Sequence, residues 1–201
     1  MIYSEIVAAV ENFINRTEAD AFVPTFISLA EVEMNRRLDT REMMGVVSLP
    51  ISSEATTLPC DFAGVKAFRL VSSPQQKLEY VRPDAFDSYT DGAVTGGTAK
   101  YYTIVGNQVL VWPVQSTAVQ TRLRYRAKLN PLTAAGVSNW VSEDHPDLYI
   151  YGALKHAGLF LGHELTPTWA AAFDEGIERL NREAIANDHG STMQVQAEVY
   201  A

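Results

Sequence analysis

The spacing of apolar residues changes twice along the chain, and this constrains the fold more than any other sequence feature. Ile2, Ile6, Val7, Val10, Phe13 and Ile14 recur at helical spacing, which predicts an amphipathic helix over 3–15. The polar break at 17–20 can cap a second helix that runs to about Leu38, with Pro24 tolerated in its first turn. Its apolar positions are Phe26, Ile27, Leu29, Ala30, Met34 and Leu38. So short a link favours an antiparallel neighbour pair.

From Met43 the period falls towards two. Val46, Val47, Leu49 and Ile51 read as a short strand that Pro50 and the following Ser-Ser-Glu are expected to end. Leu58-Pro59-Cys60-Asp61-Phe62 is a turn in which Asp61 can bond the backbone ahead. Residues 65–71 and 78–81 read as strands, and Pro83 opens a short helix through Tyr89. A hairpin is expected where Tyr101-Tyr102-Thr103-Ile104-Val105 and Val109-Leu110-Val111-Trp112 flank Gly106-Asn107, because a two-residue Gly-Asn link suits a primed turn. The strand over 119–128 alternates: Val119, Thr121, Leu123, Tyr125 and Ala127 face one way, and Gln120, Arg122, Arg124, Arg126 and Lys128 the other.

Residues 131–139 read as a loop, after which helical period returns. Pro146 suits a first helical position, with Asp144 or His145 as cap. One helix is expected over 148–161, with Gly162 as punctuation. Thr166-Pro167 restarts a long helix through 188, with Phe173, Ile177, Leu180 and Ile185 on its buried side. The tail, 191–201, shows no helical period and no proline. These readings give an α+β protein. Residues 1–42 and 139–190 pair as a four-helix bundle, 43–138 form an inserted antiparallel β region, and 191–201 form an extended C-terminal tail. No internal repeat or low-complexity segment is found.

Charge follows the same division. The 201 residues carry a net charge of -8, which excludes a generally basic, DNA-coating protein. Residues 1–45 hold 4 basic and 8 acidic groups, 46–138 hold 9 and 6, and 139–201 hold 3 and 10, giving -4, +3 and -7. A hydrophobic content of 47% fits a folded chain rather than a disordered one. Glu5 and Glu11 interrupt the first apolar stretch, so no signal peptide is expected. Lys155 and His156 break the best membrane-span candidate, at 148–162. Cys60 is the single cysteine, so an internal disulfide is impossible and a cysteine zinc site is not expected. A soluble protein of a reducing compartment is the expectation.

No G-x-S-x-G, H-E-x-x-H, Walker A or G-x-G-x-x-G motif is present. Residues 92–97 are glycine-rich but precede a strand, so they read as a loop. His156 and His163 would lie roughly 10 Å apart along a continuous helix, too far for one metal ion. His145-Pro146-Asp147 copies the J-domain tripeptide, but a proline helix start with an acid in the first turn explains it. Glu31 and Glu33, or Asp174, Glu175 and Glu178, could pair as acids for glycoside hydrolysis, but they are expected on solvated helix faces. Cys60 has no local cue for a lowered pKa. Catalytic, cofactor and metal residues are therefore all assigned as none.

The row of Arg122, Arg124, Arg126 and Lys128 stands out. Same-face residues recur every ~6.6–6.8 Å along a strand, so the four form a basic stripe. It is either a solvated, edge-protecting row or a contact for acidic surface, with nucleic acid as the lesser option. The chain supplies acidic surface at its own ends. A basic β part of one copy meeting the acidic helices of the next would be heterologous and could close a ring.

The order of motifs resembles the tailed-bacteriophage head-to-tail adaptor family, that is, connector or neck proteins of the tail tubular protein A-like kind. Phe26-Ile27-Ser28-Leu29-Ala30-Glu31 with Asn35-Arg36-Arg37-Leu38 resembles the family's second helix. Leu58-Pro59-Cys60-Asp61-Phe62, Leu78-Glu79-Tyr80-Val81, Tyr102-Thr103-Ile104-Val105-Gly106 and Trp112-Pro113 follow in order. Tyr125-Arg126-Ala127-Lys128, Asn139-Trp140 and His145-Pro146-Asp147-Leu148-Tyr149 complete a match over roughly 20–160. The resemblance implies a structural virion protein, made in the bacterial host cytoplasm. It would form a ring, usually dodecameric, that joins the portal protein to the tail nozzle protein and extends the DNA channel. It implies no cofactor, no catalysis, no membrane and no specific DNA binding. It also implies that the tail reaches the portal, with Met193, Val195, Val199 and Tyr200 as apolar anchors. Two alternatives stay open: a peptidoglycan-cleaving neck protein, and a nucleic-acid-binding module using the Arg row with Tyr101, Tyr102 and Tyr125.

Overall fold

The computed structural model describes residues 1–51, 55–71, 75–90, 97–114 and 117–190, with 188–190 described by backbone alone. The order of elements is α1 (Tyr3–Ile14), α2 (Val23–Arg37), β1 (Met44–Ile51), β2 (Ala55–Thr57), β3 (Phe62–Leu70), β4 (Glu79–Tyr80), α3 (Pro83–Thr90), β5 (Tyr101–Val105), β6 (Gln108–Trp112), β7 (Val119–Ala127), α4 (Trp140–Asp144), α5 (Pro146–Leu161) and α6 (Thr166–Gly190). The class is α+β. The chain divides into two compact units, a discontinuous helical one (Met1–Glu42 with residues from Leu129 onward) and a β unit (Met43–Lys128). Residues 129–138 therefore cluster with the helices.

In the helical unit, α5 packs against α1, α2, α4 and α6. Its start and stop are local chemistry. Pro146 sits in the first turn, where a missing N–H is harmless, and Gly162 ends the helix at φ 63. Between them α5 buries Gly152, Ala153, Ala157 and Gly158, small residues that let neighbouring helices approach closely. α1 buries Ile6, Val10 and Ile14, and stops at Asn15, which takes the left-handed conformation. α2 buries Val23, Phe26, Ile27, Ala30 and Met34. Leu29, expected among the apolar positions, is exposed because it falls about 100° from that stripe. Ile185 is exposed for the same reason: the buried Phe173, Ile177 and Leu180 continue to Ala184, one residue off. Between the expected loop at 131–139 and α5 lies the short α4, whose cap is Asn139, with its side chain accepting from the Ser142 N–H.

The β unit contains two sheets, ordered β1-β7-β3 and β2-β6-β5-β4. Their inner faces share a core that includes Leu49, Phe68, Leu70, Tyr102, Val111 and Leu123. The expectation of a wholly antiparallel β region needs correction, because β4 pairs with β5 in parallel. The connection between them carries α3 and returns the chain in its starting direction, as a crossover must. Pro50 does not end β1. The strand runs through it to Ile51, with Pro50 opposite Gln120, and proline is tolerated because β1 is an edge strand. The β5–β6 hairpin closes on Val105 and Gln108. Of its two turn residues Gly106 has φ 60 and Asn107 has no positive φ, the pattern of a type II′ turn.

Candidate functional site

β7 fixes the geometry of the basic row. It lies between β1 and β3, so the row runs down the middle of a sheet face and protects no edge. Thr121, Leu123 and Tyr125 point into the core, while Arg122, Arg124 and Lys128 are exposed and Arg126 is half-buried. The Tyr125 hydroxyl donates to Asp61, and the Lys128 N–H donates to the Asp61 carbonyl. The turn acid thus ties β7 down rather than bonding ahead. Burial and the Asp61 charge hold the Tyr125 hydroxyl above its ordinary range.

Register adds a residue that sequence reasoning missed. Arg69 on β3 stands directly opposite Arg122, and Ala67 opposite Arg124. Like charges directly opposed across strands are destabilising, so this pair weakens the sheet on which it sits. Arg69, Arg122 and Arg124 line a shallow concavity, with Gln75 at its side. Among the described residues no carboxylate forms an ion pair with Arg122, Arg124 or Arg69. The signal for Arg69 was the alternation Phe68-Arg69-Leu70, in-out-in, but only register could place it beside Arg122. On the other side Ser48, Val46 and Met44 of β1 stand opposite Arg122, Arg124 and Arg126. One flank of the row is therefore apolar and exposed.

The aromatic platform that the nucleic-acid alternative needs is not assembled. Tyr125 faces the core, and Tyr102 packs edge-on against Phe68. Tyr101, on the other sheet, stacks on Tyr89 of α3 at 5.1 Å.

Of the acids considered for hydrolysis, Glu175 and Glu178 are exposed as expected, but Glu31 and Glu33 are not on a solvated face, which corrects the expectation for them. Glu31 is buried and accepts from the Leu132 N–H (2.8 Å) and the Tyr149 hydroxyl (3.1 Å). Asn139 in turn donates to the Tyr149 oxygen at 2.6 Å. Burial pushes the Glu31 carboxyl up, against the opposing effect of its hydrogen bonds. Glu33 accepts from Lys155 (2.8 Å) and Arg37 (3.0 Å). Burial would raise Glu33, but these two cations outweigh it and leave the carboxyl low. Arg37 also pairs with Asp174. These groups fasten α2, α5 and α6 together, and each carboxylate is engaged where a hydrolase would need it free.

The histidines serve packing and turns. His156 is half-buried with its pKa lowered by burial, 3.7 Å from Glu33. His163 stacks on Trp169, and its Nδ1 accepts from the Leu165 N–H. His145 meets Trp140 edge-on without a side-chain capping bond. Cys60 is exposed. Among the described residues no cluster of three His, Cys, Asp or Glu side chains could hold a metal, and no helix is long and apolar enough to cross a membrane. Met193, Val195, Val199 and Tyr200 lie outside the described residues.

No curated protein matches the chain. The family model for the SU10 adaptor protein matches residues 1–196, a longer span than the motifs that suggested an adaptor. The chain belongs to the SU10 adaptor protein family, phage head-to-tail adaptors of structural function.

Proposed function

We propose that the chain is a non-enzymatic virion component that closes into a ring, with twelve copies as the expected number, between the portal protein and the tail nozzle protein. The observation that carries this reading is the SU10 adaptor match over residues 1–196. The four long helices act as a four-helix bundle, and the β unit is an insertion in its sequence. The row of Arg122, Arg124, Arg126 and Lys128 serves contacts between subunits. The tail, through Met193, Val195, Val199 and Tyr200, reaches the portal. A net charge of -8 suits a channel that DNA must pass without being gripped, because phosphate neutralisation by clustered cations gives tight, salt-sensitive binding.

The test is a mass measurement of the protein alone and after mixing with its portal. A ring-sized species in either case supports the reading, and a monomer in both defeats it. Deleting residues 190–201 should abolish portal binding and leave the fold intact, and wild-type affinity after truncation would remove the tail from the proposal. Charge reversal of Arg122, Arg124 and Arg126 should break the assembly. Clearing of cell-wall material in a zymogram would overturn the non-enzymatic assignment.

A further inference from the structure

The helical unit carries an exposed apolar patch that the fold does not use. The α1–α2 and α5–α6 junctions meet where the Phe22 and Phe160 rings approach to 5.1 Å, with Phe26 behind them at 5.8 Å from Phe160. Phe160 is 57% exposed, its chain neighbour Leu159 69% and Phe22 46%. Large apolar side chains clustered in this way mark interaction surfaces more often than chance exposure. The same two junctions carry Glu18, Asp20 and Glu164 against a single cation, Arg16. The junctions that carry the apolar patch are thus acidic on balance.

The outer face of the β1-β7-β3 sheet has the opposite character. Val46, 60% exposed, and Met44 form an apolar flank beside Arg122, Arg124 and Arg69. Phosphate backbone would satisfy the guanidinium groups but leave this flank uncovered, and the net charge of the chain would oppose its approach. An apolar surface edged with carboxylates satisfies both parts.

We propose that the Phe22–Phe160 patch of one copy docks on the Met44–Val46 flank of the next, with Glu18, Asp20 and Glu164 meeting Arg69, Arg122 and Arg124. The inference rests on the self-assembling reading above and specifies its two faces. The contact is heterologous: each copy offers one face and receives the other, so repetition produces a ring or filament rather than a closed dimer. It also explains why Arg69 and Arg122 stand opposed across the sheet. Their repulsion is relieved only when carboxylates arrive.

Two full-length variants test this by sedimentation velocity. Phe160→Asp blocks the helical face, and Arg122→Glu with Arg124→Glu blocks the sheet face. Leu159→Glu repeats the helical test if Phe160→Asp lowers the melting temperature. Each variant alone should lose self-association by at least about tenfold. Mixed in equal amounts, the two should form a one-to-one heterodimer that does not grow, since one intact interface remains. Wild-type assembly that survives both variants, or a mixture without heterodimer, overturns the docking faces and leaves the ring reading standing. Wild-type protein that stays monomeric at all concentrations and with portal overturns both. Salt-sensitive retention of duplex DNA, lost on Arg122→Glu with Arg124→Glu, would assign the sheet face to phosphate instead.

Discussion

Gly152→Ala puts a methyl group where α2, α5 and α6 crowd together. Its carbon would lie 2.8 Å from the Ala30 Cβ and 2.8 Å from the Phe173 ring. Ordinary carbon contacts sit near ~3.5–4.0 Å, so both neighbours must give way by about 1 Å. Neither can do so cheaply, because Ala30 moves only with the α2 backbone and Phe173 is fully buried. Helix propensity alone would favour alanine by about 1 kcal/mol. Overpacking costs about 1–3 kcal/mol, and two rigid neighbours argue for its upper part. The expected net loss is about 1–2 kcal/mol, which is roughly 2–8 °C in melting temperature for a chain of this size. Far-UV circular dichroism during thermal unfolding reads it directly. Ala30→Gly in the same chain should recover part of the loss, with a coupling above about 0.5 kcal/mol. A Gly152→Ala protein as stable as wild type, or no coupling with Ala30→Gly, would refute the close approach of the helices at α5.

Glu31→Gln tests the buried acid. A folded pKa raised by burial means that the carboxyl contributes stability below its unfolded pKa and loses it as pH rises through the folded one. The variant should therefore gain on wild type between acidic and neutral pH, as melting temperatures at the two would reveal; a difference independent of pH would contradict the assignment. Arg69→Gln removes a cross-strand repulsion and should stabilise the isolated subunit by about 0.2–1 kcal/mol at low salt, an advantage that high salt erases. The same variant should weaken self-association, so stability and assembly move in opposite directions. Gly45→Ala would place a carbon 2.5 Å from the Tyr125 ring and should cost about 1–3 kcal/mol in chemical denaturation, whereas Gly64→Ala meets nothing and should cost less.

What could be read from sequence was what neighbours along the chain decide. The Gly106 turn, the proline start of α5 and the in-out alternation of β7 depend on residues within a few positions, and all three stand in the structure. Pro50 and Leu29 misled because their fate depends on whether a strand is an edge and on which side of a helix has a partner. The position of β7 between β1 and β3 is a matter of register among strands tens of residues apart, so the Arg row was legible but its opposite number, Arg69, was not. Glu31 was misplaced for the same reason. Its partners, Leu132 and Tyr149, come from 101 and 118 residues away. The Phe22–Phe160 meeting likewise joins two distant junctions that give no sign of each other locally.

The interruption of the helical unit by the β unit also sets an order of events during synthesis. α1 and α2 leave the ribosome first, yet the helix they pack on, α5, begins at Pro146. At about 5–20 residues per second the roughly 100 intervening residues take some 5–20 s to make. For that interval the apolar stripes of α1 and α2 have no native cover, while Met43–Lys128 is already complete and free to fold. A nascent chain stalled before α5 should therefore hold a protected β unit and protease-sensitive helices, and it should draw chaperones to its first forty residues rather than to its middle.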